Sequence, residues 1–450
     1  MNFYKKTNYN KYVQEILNYV RDKGLDPKDT IFIPVENETL FYVISNLYPV
    51  ALPHWSRGRD YLRVKSSNER GSTYYEVVFN TSPYAIAYMS ELSSHADTLV
   101  VIAHVFGHTH IFKHNIYEYN DHDVLPRMKN ALSIYEEKIG LYSYEELDVI
   151  VDFVNALWNV IYDVSDININ FASEEKEKQE KQNKKDFLKF TNTRIFKETP
   201  KEKYFREKEE ERREKYYIGK PNFYEYIVEN SPIEDWMKEL VRAELELKKI
   251  LMRKSVNKIV HEGFASWIDQ LYIQDMLDGY DFLHSIILSS RIAFPDINNP
   301  YWLGFKLLKF AEEVDKVFLP EFVKQIDDYE LISRYFNYEF LIYLSKNLDG
   351  FVDATEINEL KNEERIKEYR EAFLSRLLVK RPLVYISEYD VNAEDDDTLR
   401  RYRIVKVVEE NFNAPLKLES PDKLDFSFAF NTIKKIAKIW KGPVYLRYAR

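Results

Sequence analysis

The amino-acid sequence predicts a mainly α-helical protein with α+β portions. We expect a helical core that carries a metal site, small mixed strands near the N-terminus and a small α+β domain at the C-terminus. Long stretches with apolar residues at helical spacing fill the middle of the chain, as after Ser231, where Trp236 and Leu240 share one face. Short strand-like runs rich in Val, Ile and Tyr are confined to the two ends. This distribution is typical of a helical body flanked by small sheets.

The first third of the chain alternates between helix and strand. Helices are predicted at 9–23 and 38–47, and strands at 30–35 and 74–79. The stretch between them at 53–61 is predicted to be an ordered loop. The paired serines at 93 and 94 then give an N-cap signal. An apolar helix should follow through Leu99 to about Phe112.

The later elements are helical up to about residue 380. A helix is predicted over 136–163, the next begins at Ser231, and others follow as far as Glu339. Beyond Arg381 the pattern changes to short strands around one amphipathic helix. The predicted strands are 383–388, 401–406, 416–419 and 443–447, and the helix is 426–440.

The chain is long enough to form two or three domains, and we predict four parts. Residues 1–170 form an N-terminal α/β region with the histidine-bearing helix, and 218–380 form a helical region that completes the site. Residues 381–450 form the small α+β domain. Between them, 171–217 is a charged insert or linker, loaded with Glu, Lys and Arg from Ala172 onward. It is either a solvated helix, a mobile insert or an arm that binds a partner.

Composition limits the kinds of site. There is no cysteine, which excludes disulfides, thiolate metal sites and cysteine nucleophiles and leaves His, Asp and Glu as the strong metal ligands. The net charge of −10 makes nucleic acid a poor default partner. No stretch is long enough to span a membrane and the N-terminus has no apolar signal core, so we expect a cytoplasmic protein.

Four of the nine histidines fall between positions 104 and 114. His104 and His108 are four residues apart, so on a helix they share one face, while His110 and His114 share another face. The flanking residues of the first pair are the more apolar, so this pair should point inward. Two inward imidazoles at this spacing can bind one divalent ion, or they can be core histidines bonded to carboxylates.

A second motif strengthens the metal hypothesis. Glu262 and Asp269 lie two helical turns apart, so both can face the histidine pair. Two His and one Glu, His104, His108 and Glu262, would form the ligand set of many catalytic zinc sites. The arrangement is similar to that of gluzincin metallopeptidases, in which an HExxH motif supplies two His ligands and a later helix supplies Glu. Val105 occupies the position of their water-activating Glu.

A hydrolase with this site would need another base. The candidates are Asp269, His110 and His261. Without such a base, the ion would be structural. A separate pocket is also a hypothesis, because an arginine pair beside an aromatic residue suits a carboxylate or phosphate. Its residues are His54, Trp55, Arg57 and Arg59, which could equally be surface charges beside a buried Trp.

Eight stretches distributed along the chain resemble, in order, the landmarks of the SpoVR (stage V sporulation protein R) family. They are His54–Trp55, Val78–Pro83, Ile102–His108, Phe112–Asn115, Ile233–Trp236, Lys258–Ser266, Asn299–Gly304 and Trp440–Val444. The resemblance implies a link to formation of the spore cortex, a peptidoglycan layer. It also implies a PrkA-type serine protein kinase and a von Willebrand A-like protein as partners.

Two positions depart from the family pattern. Relatives usually carry Asp at position 110 and His at position 269, whereas this chain has His110 and Asp269. An exchange of this kind is expected if the two side chains touch, so we predict that they lie together near the metal and that the helix ends or bends near Gly107. At His114 relatives more often carry Asn, and this residue could add a ligand or pocket wall.

These observations leave three functional hypotheses. The first is a zinc-dependent hydrolase that acts on an amide bond. The second is a non-catalytic regulatory or scaffold protein, in which the ion fastens two helices and the charged insert binds the kinase. The third gives the ion a redox role, since two His and a carboxylate also suit iron, and manganese is a further candidate.

Overall fold

The structure is a computed structural model of the whole chain. It describes residues 6–46, 56–69, 75–91, 94–118, 124–160, 223–254, 257–346 and 401–450, together with positions 52, 54, 200, 366–368, 370, 382, 384–389 and 391. Within these residues the protein is mainly helical with two small sheets, which confirms the predicted fold class. The charged insert predicted at 171–217 lies outside the described residues, and the four-part division stays a prediction.

Fifteen helices are described, and we number them along the chain. They are α1 (Lys6–Asp22), α2 (Asn37–Asn46), α3 (Ser56–Glu69), α4 (His95–His114), α5 (Val124–Lys138), α6 (Tyr144–Val160), α7 (Phe223–Asn230), α8 (Asp235–Lys254), α9 (Lys258–Met276), α10 (Gly279–Ile292), α11 (Pro300–Asp315), α12 (Leu319–Phe322), α13 (Asp328–Tyr335), α14 (Tyr338–Lys346) and α15 (Phe426–Trp440). None of them is long and apolar enough to cross a membrane.

The described strands form two sheets. They are β1 (Thr30–Val35), β2 (Glu76–Phe79), β3 (Ala85–Ser90), β4 (Tyr385–Ile386), β5 (Tyr402–Val407), β6 (Leu416–Lys423) and β7 (Val444–Ala449). The first sheet has the order β1-β3-β2, with β3 parallel to β1 and antiparallel to β2. The second has the order β4-β6-β7-β5, and α15 packs against β5 and β7.

Three parts of the N-terminal region differ from the sequence prediction. The helix predicted over 136–163 begins only at Tyr144, and a separate helix that was not predicted, α5, ends at Lys138. Residues 85–90 form the central strand β3, although no strand was predicted there; their run of small residues, Ala85 and Ala87, is buried between neighbouring elements. The loop predicted at 53–61 is wrong from Ser56 onward, where α3 begins. Gly58 lowers helix propensity, but α3 packs on α2 and buries Val64, so tertiary contact overrides local preference.

Helix α4 is the central element of the fold. Ser94 accepts a hydrogen bond from the backbone N–H of Asp97, and the Asp97 carboxylate accepts one from the N–H of Ser94, which forms a capping box. The helix then runs without interruption to His114 and is buried from residue 96 to residue 111. The predicted end or bend near Gly107 is therefore wrong. A helix buried on all sides needs apolar residues all round, and this one has them.

Glycines bring three helices into close contact at the site. A Cβ added to Gly263 of α9 would lie 2.3 Å from the backbone carbon of Gly304 of α11, and one added to Gly304 would lie 2.0 Å from the carbonyl oxygen of Ile259. A Cβ on Gly107 of α4 would lie 2.9 Å from Cα of Ala265. The missing side chains thus let α4 and α11 approach α9 backbone to backbone, which places the α4 histidines against α9.

The apolar interior divides into two clusters. We call the first the site core; it contains buried residues of α1, β3, α4, α9, α11, α13 and α14. We call the other the second core; it contains residues of α5, α6, α7, α8, the second sheet and α15. The predicted C-terminal domain therefore shares its core with helices from earlier in the chain. The histidine motif lies in the site core.

Candidate metal centre

His104 and His108 form the centre of the candidate site. Their side chains are buried, with exposures of 6% and 8%, and their ring centroids lie 4.7 Å apart. Four residues of an α-helix turn about 400°, so both rings leave α4 on the same face. That face is turned toward α9, and the inward orientation predicted for this pair is confirmed.

The carboxylate of Glu262 faces both rings from α9. Its Oε2 lies 3.7 Å from Nε2 of His104 and 3.6 Å from Nε2 of His108. These distances exceed a hydrogen bond, and within the described residues this buried oxygen has no hydrogen-bond partner. Ligand atoms about 2.1 Å from a tetrahedral ion lie about 3.4 Å apart, so each Nε2 lies from this oxygen at close to the distance between two ligands of one divalent ion.

Asp269 holds the ring of His104 from the side opposite its Nε2. Its Oδ2 lies 2.7 Å from Nδ1 of His104, which donates to it. This bond keeps a proton on Nδ1, so an ion would bind His104 through Nε2 in exchange for the proton that Nε2 carries. Such a carboxylate behind a metal-binding imidazole also increases the basicity of the ring. The two-turn spacing of Glu262 and Asp269 thus brings both carboxylates to the same histidine, as the sequence predicted.

A chain of hydrogen bonds holds the ring of His108 in place. Nδ1 of His108 and Nδ1 of His261 are 3.2 Å apart, and Nε2 of His261 lies 2.7 Å from Oε1 of Glu118. Glu118 accepts from Nε2 of His261 and raises the pKa of that ring. A neutral His261 accepts at Nδ1 from Nδ1 of His108, whereas a protonated His261 donates there. Nε2 of His108 is the unprotonated nitrogen when His261 is neutral.

Glu76 completes the group, and sequence reasoning missed it. It lies at the start of β2, and its Oε1 is 3.9 Å from Nε2 of His104. One ligand atom each from Glu76, His104 and His108 lie within 4.8 Å of one another, a group that could hold a metal ion. The available signal was a single carboxylate at the edge of the apolar run Val77–Phe79, which a surface position would explain equally well.

The charges of the group are strongly coupled. Burial opposes the charged form of His104, but Asp269 and Glu262 outweigh burial and raise the pKa of the ring well above its usual value. Burial together with the charge of His104 holds the pKa of His108 well below its usual value. Burial also opposes ionisation of Glu262, yet the two histidines lower its pKa to about 2. The site therefore combines a carboxylate anion with an imidazole that does not take a proton.

Glu76 differs from Glu262 in its electrostatics. Burial raises the pKa of Glu76 to about 7, because His104 only partly offsets the loss of water and Glu262 adds repulsion. Burial likewise raises the pKa of Asp269, against the effect of His104. Because the ionised Glu262 lies close to them, Glu76 and Asp269 hold a proton more readily than isolated carboxylates do. The group thus contains both an anionic ligand and a carboxyl that can exchange a proton near neutral pH.

Tyr301, at the first turn of α11, covers the centre. Its ring stacks on that of His104 with centroids 6.1 Å apart and an interplanar angle of 21°. Burial, with Glu262 and Glu76 nearby, raises the pKa of its hydroxyl well above the usual value, so the phenol stays protonated. Asn299 caps α11 by accepting from the N–H of Tyr301, which fixes where this ring lies. Sequence reasoning identified the stretch as a landmark but gave it no role.

The second histidine pair of α4 lies outside this group. The backbone N–H of Asp26 donates to Nδ1 of His110, and Nε2 of His110 donates to the carbonyl oxygen of Pro320. His114 pairs with the carboxylate of Asp26 at 2.9 Å. Because both ring nitrogens of His110 are occupied and Asp269 bonds His104, the predicted contact between His110 and Asp269 is not formed. His110 is buried, and burial lowers its pKa to about 4.

The pocket predicted around His54 is a different place in the fold. His54 is buried, its Nδ1 lies 2.7 Å from Oγ of Ser56, and its Nε2 lies 3.8 Å from Asp152 of α6 in the second core. Arg59 is exposed. Trp55 and the side chain of Arg57 lie outside the described residues. The pocket stays a prediction, separate from the α4 centre.

Comparisons with known proteins show what the chain is similar to. A family model described as "SpoVR like protein" matches residues 4–393. The chain is also similar to the uncharacterized protein YcgB of Escherichia coli (strain K12), with 23% identity over 407 residues that cover 78% of this chain and 77% of that protein. No solved structure gives a significant match. The whole candidate centre falls inside the matched range, whereas the landmark at Trp440–Val444 lies beyond it.

Proposed function

The chain belongs to the family of SpoVR-like proteins, and we propose that it is a metal-dependent hydrolase of amide bonds. His104, His108 and Glu262 hold a divalent ion, most readily zinc. The observation that carries the proposal is the buried oxygen of Glu262, which lies 3.7 and 3.6 Å from the two Nε2 atoms and has no hydrogen-bond partner among the described residues. The two histidines stabilise the charge of this carboxylate and lower its pKa to about 2, and a cation between the three atoms would give the oxygen the partner that it lacks among the described residues.

A divalent ion bound here supplies a Lewis acid for an amide carbonyl and acidifies a water molecule. The surrounding residues support this chemistry. Asp269 and the pair His261 and Glu118 orient the ligand rings through their Nδ1 atoms. Tyr301 covers the ring of His104 and keeps a protonated hydroxyl beside the centre.

Glu76 is the residue we assign to proton transfer. Val105 cannot act as the base at the position used by gluzincins, and the bases predicted at His110, His261 and Asp269 are engaged with other protein groups. Glu76 enters from β2, lines the adjacent cavity and places Oε1 3.9 Å from Nε2 of His104. From there it can take a proton from water and return it to the leaving amine.

The test is elemental analysis combined with matched variants. We expect about one zinc per chain in the purified protein, little in the His104→Ala and Glu262→Gln variants, and full occupancy in Glu76→Gln. Hydrolysis of a library of fluorogenic peptides should be lost in all three variants. Absence of bound metal from the wild-type protein, after growth and purification with zinc, iron and manganese supplied in turn, would refute the proposal.

A second function is favoured by one feature, the nearness of Glu76 to both histidines. If Glu76 is a fourth ligand, the shell is closed and the ion is structural, as in a regulatory or scaffold protein. Such a protein would work in the cytoplasm with a PrkA-type kinase. In that case Glu76→Gln would weaken metal binding, and no peptide would be hydrolysed. Finding iron in the elemental analysis would instead favour the redox role.

A further inference from the structure

A cavity of about 360 Å³ opens beside the candidate centre. It lies between α4, α9 and α10, and its lining includes Glu76, His104, Asp269 and Tyr301. Its volume is near the lower end of the range of roughly 300 to 1,000 Å³ that is typical of ligand pockets. A small ligand in this cavity would therefore be close to His104, the proposed metal ligand that lines it, and to Glu76.

Helix α10 contributes the polar groups of the far wall. Ser285 is 1% exposed, and its Oγ has no hydrogen-bond partner within the described part of the chain. Ser289 lines the cavity one turn later, and Arg291 lines it near the end of the helix. A buried hydroxyl without a partner is costly in a folded protein, which indicates a position that a ligand group satisfies.

Arg291 differs from the other charged residues that line the cavity. Asp269 is bonded to His104, and Asp97 caps α4, its Oδ1 lying 3.0 Å from Nε2 of His284. Arg291 is exposed to solvent and forms no ion pair with any residue that the structure describes. It is also the only arginine or lysine among the cavity-lining residues. A solvated guanidinium that lines a cavity is suited to bind a planar oxyanion.

We propose that this cavity binds the substrate through a carboxylate, which Arg291 and Ser285 hold while the amide bond lies at the centre. Both residues line the cavity, six positions and about 9 Å apart along α10. The substrate class is thus a short peptide-like molecule with a free carboxylate. The placement of the amide bond at the candidate metal centre rests on the proposed hydrolase function, whereas the carboxylate site in the cavity does not.

A carboxylate fits the cavity better than a phosphate does. The side chains of Glu76, Asp97 and Asp269 line the same space, and they repel a dianion more strongly than a monoanion. Inorganic phosphate therefore serves as a competing probe. Effective competition by phosphate at concentrations equal to those of the carboxylate ligand would contradict the assignment.

Calorimetric titration of two blocked dipeptides tests the proposal. Acetyl-alanyl-alanine carries a free carboxylate and its C-terminal amide does not. We expect the wild-type protein to bind the acid roughly 10-fold or more tightly than the amide. Arg291→Gln should remove this preference, Ser285→Ala should weaken binding of the acid by roughly 5-fold, and Arg21→Gln, a change of an exposed arginine on α1, should have no effect.

The titrations are repeated on protein freed of metal by a chelator, since a bound ion could itself attract a carboxylate. A preference that persists without metal and depends on Arg291 supports the site even if no metal or hydrolysis is found. Equal binding of acid and amide, a preference unchanged in Arg291→Gln, or no binding of the acid up to about 10 mM overturns the proposal.

Discussion

The two histidine pairs on α4 have the same spacing and lie on the same helix, yet they occupy opposite environments. His104 and His108 face buried carboxylates from other elements, and their Nε2 atoms meet at an oxygen without a hydrogen-bond partner among the described residues. His110 and His114 face the backbone and side chain of Asp26, and both nitrogens of His110 and Nε2 of His114 are bonded to protein groups. The spacing of two histidines thus predicts only that they share a face. What lies opposite that face decides whether the pair can bind a metal.

The largest expected effect is on metal affinity, and it should separate the two pairs. His108→Ala removes a ligand, so zinc affinity should fall by more than the roughly 10- to 100-fold that loss of an outer partner costs. His114→Ala removes an imidazole at the same spacing from the other pair and should leave affinity unchanged. Competition with a chromophoric chelator measures both variants, and circular dichroism checks their folding. Equal losses in the two variants would show that the pairs do not differ.

A second prediction concerns stability rather than metal. His110 is neutral in the folded protein because its pKa is lowered to about 4, from an ordinary value of 6.5. Between pH 6.5 and pH 4 the unfolded chain binds a proton at His110 that the folded protein does not bind. The folded state is therefore destabilised relative to the unfolded chain as the pH falls from 6.5 toward 4, and this loss is absent above pH 6.5. The difference between the two pKa values corresponds to about 3 kcal/mol in the free energy of unfolding.

The pH dependence of His110→Gln measures that contribution. In chelator-treated samples, the stability advantage of the wild-type protein over this variant should be greatest at pH 7 and should shrink by about 3 kcal/mol by pH 4. Urea unfolding at several pH values provides the comparison. A constant difference across this range would contradict the assignment of a neutral, structural role to His110. Zinc binding by the variant at pH 7 should match the wild type.

The smallest effect should come from the residues behind the ligand rings. Glu118→Gln and Asp269→Asn leave the ligands intact but replace the charged acceptors of His261 and His104 by weaker, neutral amides, so zinc affinity should fall by about 10- to 100-fold. Asp26→Asn is the matched control, because it changes the acceptor behind His114. Affinities that are unchanged in the first two variants would show that the rings are held by packing alone.

Much of the helical framework could be predicted from the sequence, because apolar spacing and caps are local signals. The N-cap at Ser94 and the inward face of α4 are examples, as is the agreement of Glu262 and Asp269 on one face of α9. Strand β3 was missed because its short run of small residues has weak strand character. Its pairing with β1 depends on residues more than fifty positions away.

The candidate site could be predicted only where its residues lie on helices with regular spacing. Glu76 comes from a strand edge and Tyr301 from a helix start, and neither position has a periodic signal that points to the α4 pair. The predicted approach of His110 to Asp269 failed for a related reason. It assumed that exchanged residue types touch directly, whereas His110 satisfies backbone groups of Asp26 and Pro320 that the sequence does not reveal.

The glycine contacts between helices also bear on which ions the centre can select. Because Gly263 and Gly304 meet backbone to backbone, α9 cannot move closer to α11, and the Gly107 contact similarly limits the approach of α4 to α9. The separation between the helices that carry the two histidines and Glu262 is consequently set by the main chain. We therefore expect discrimination by ionic radius: an ion with bonds of about 2.1 Å fits, whereas calcium, with bonds of about 2.4 Å and a need for six or more oxygens, is excluded.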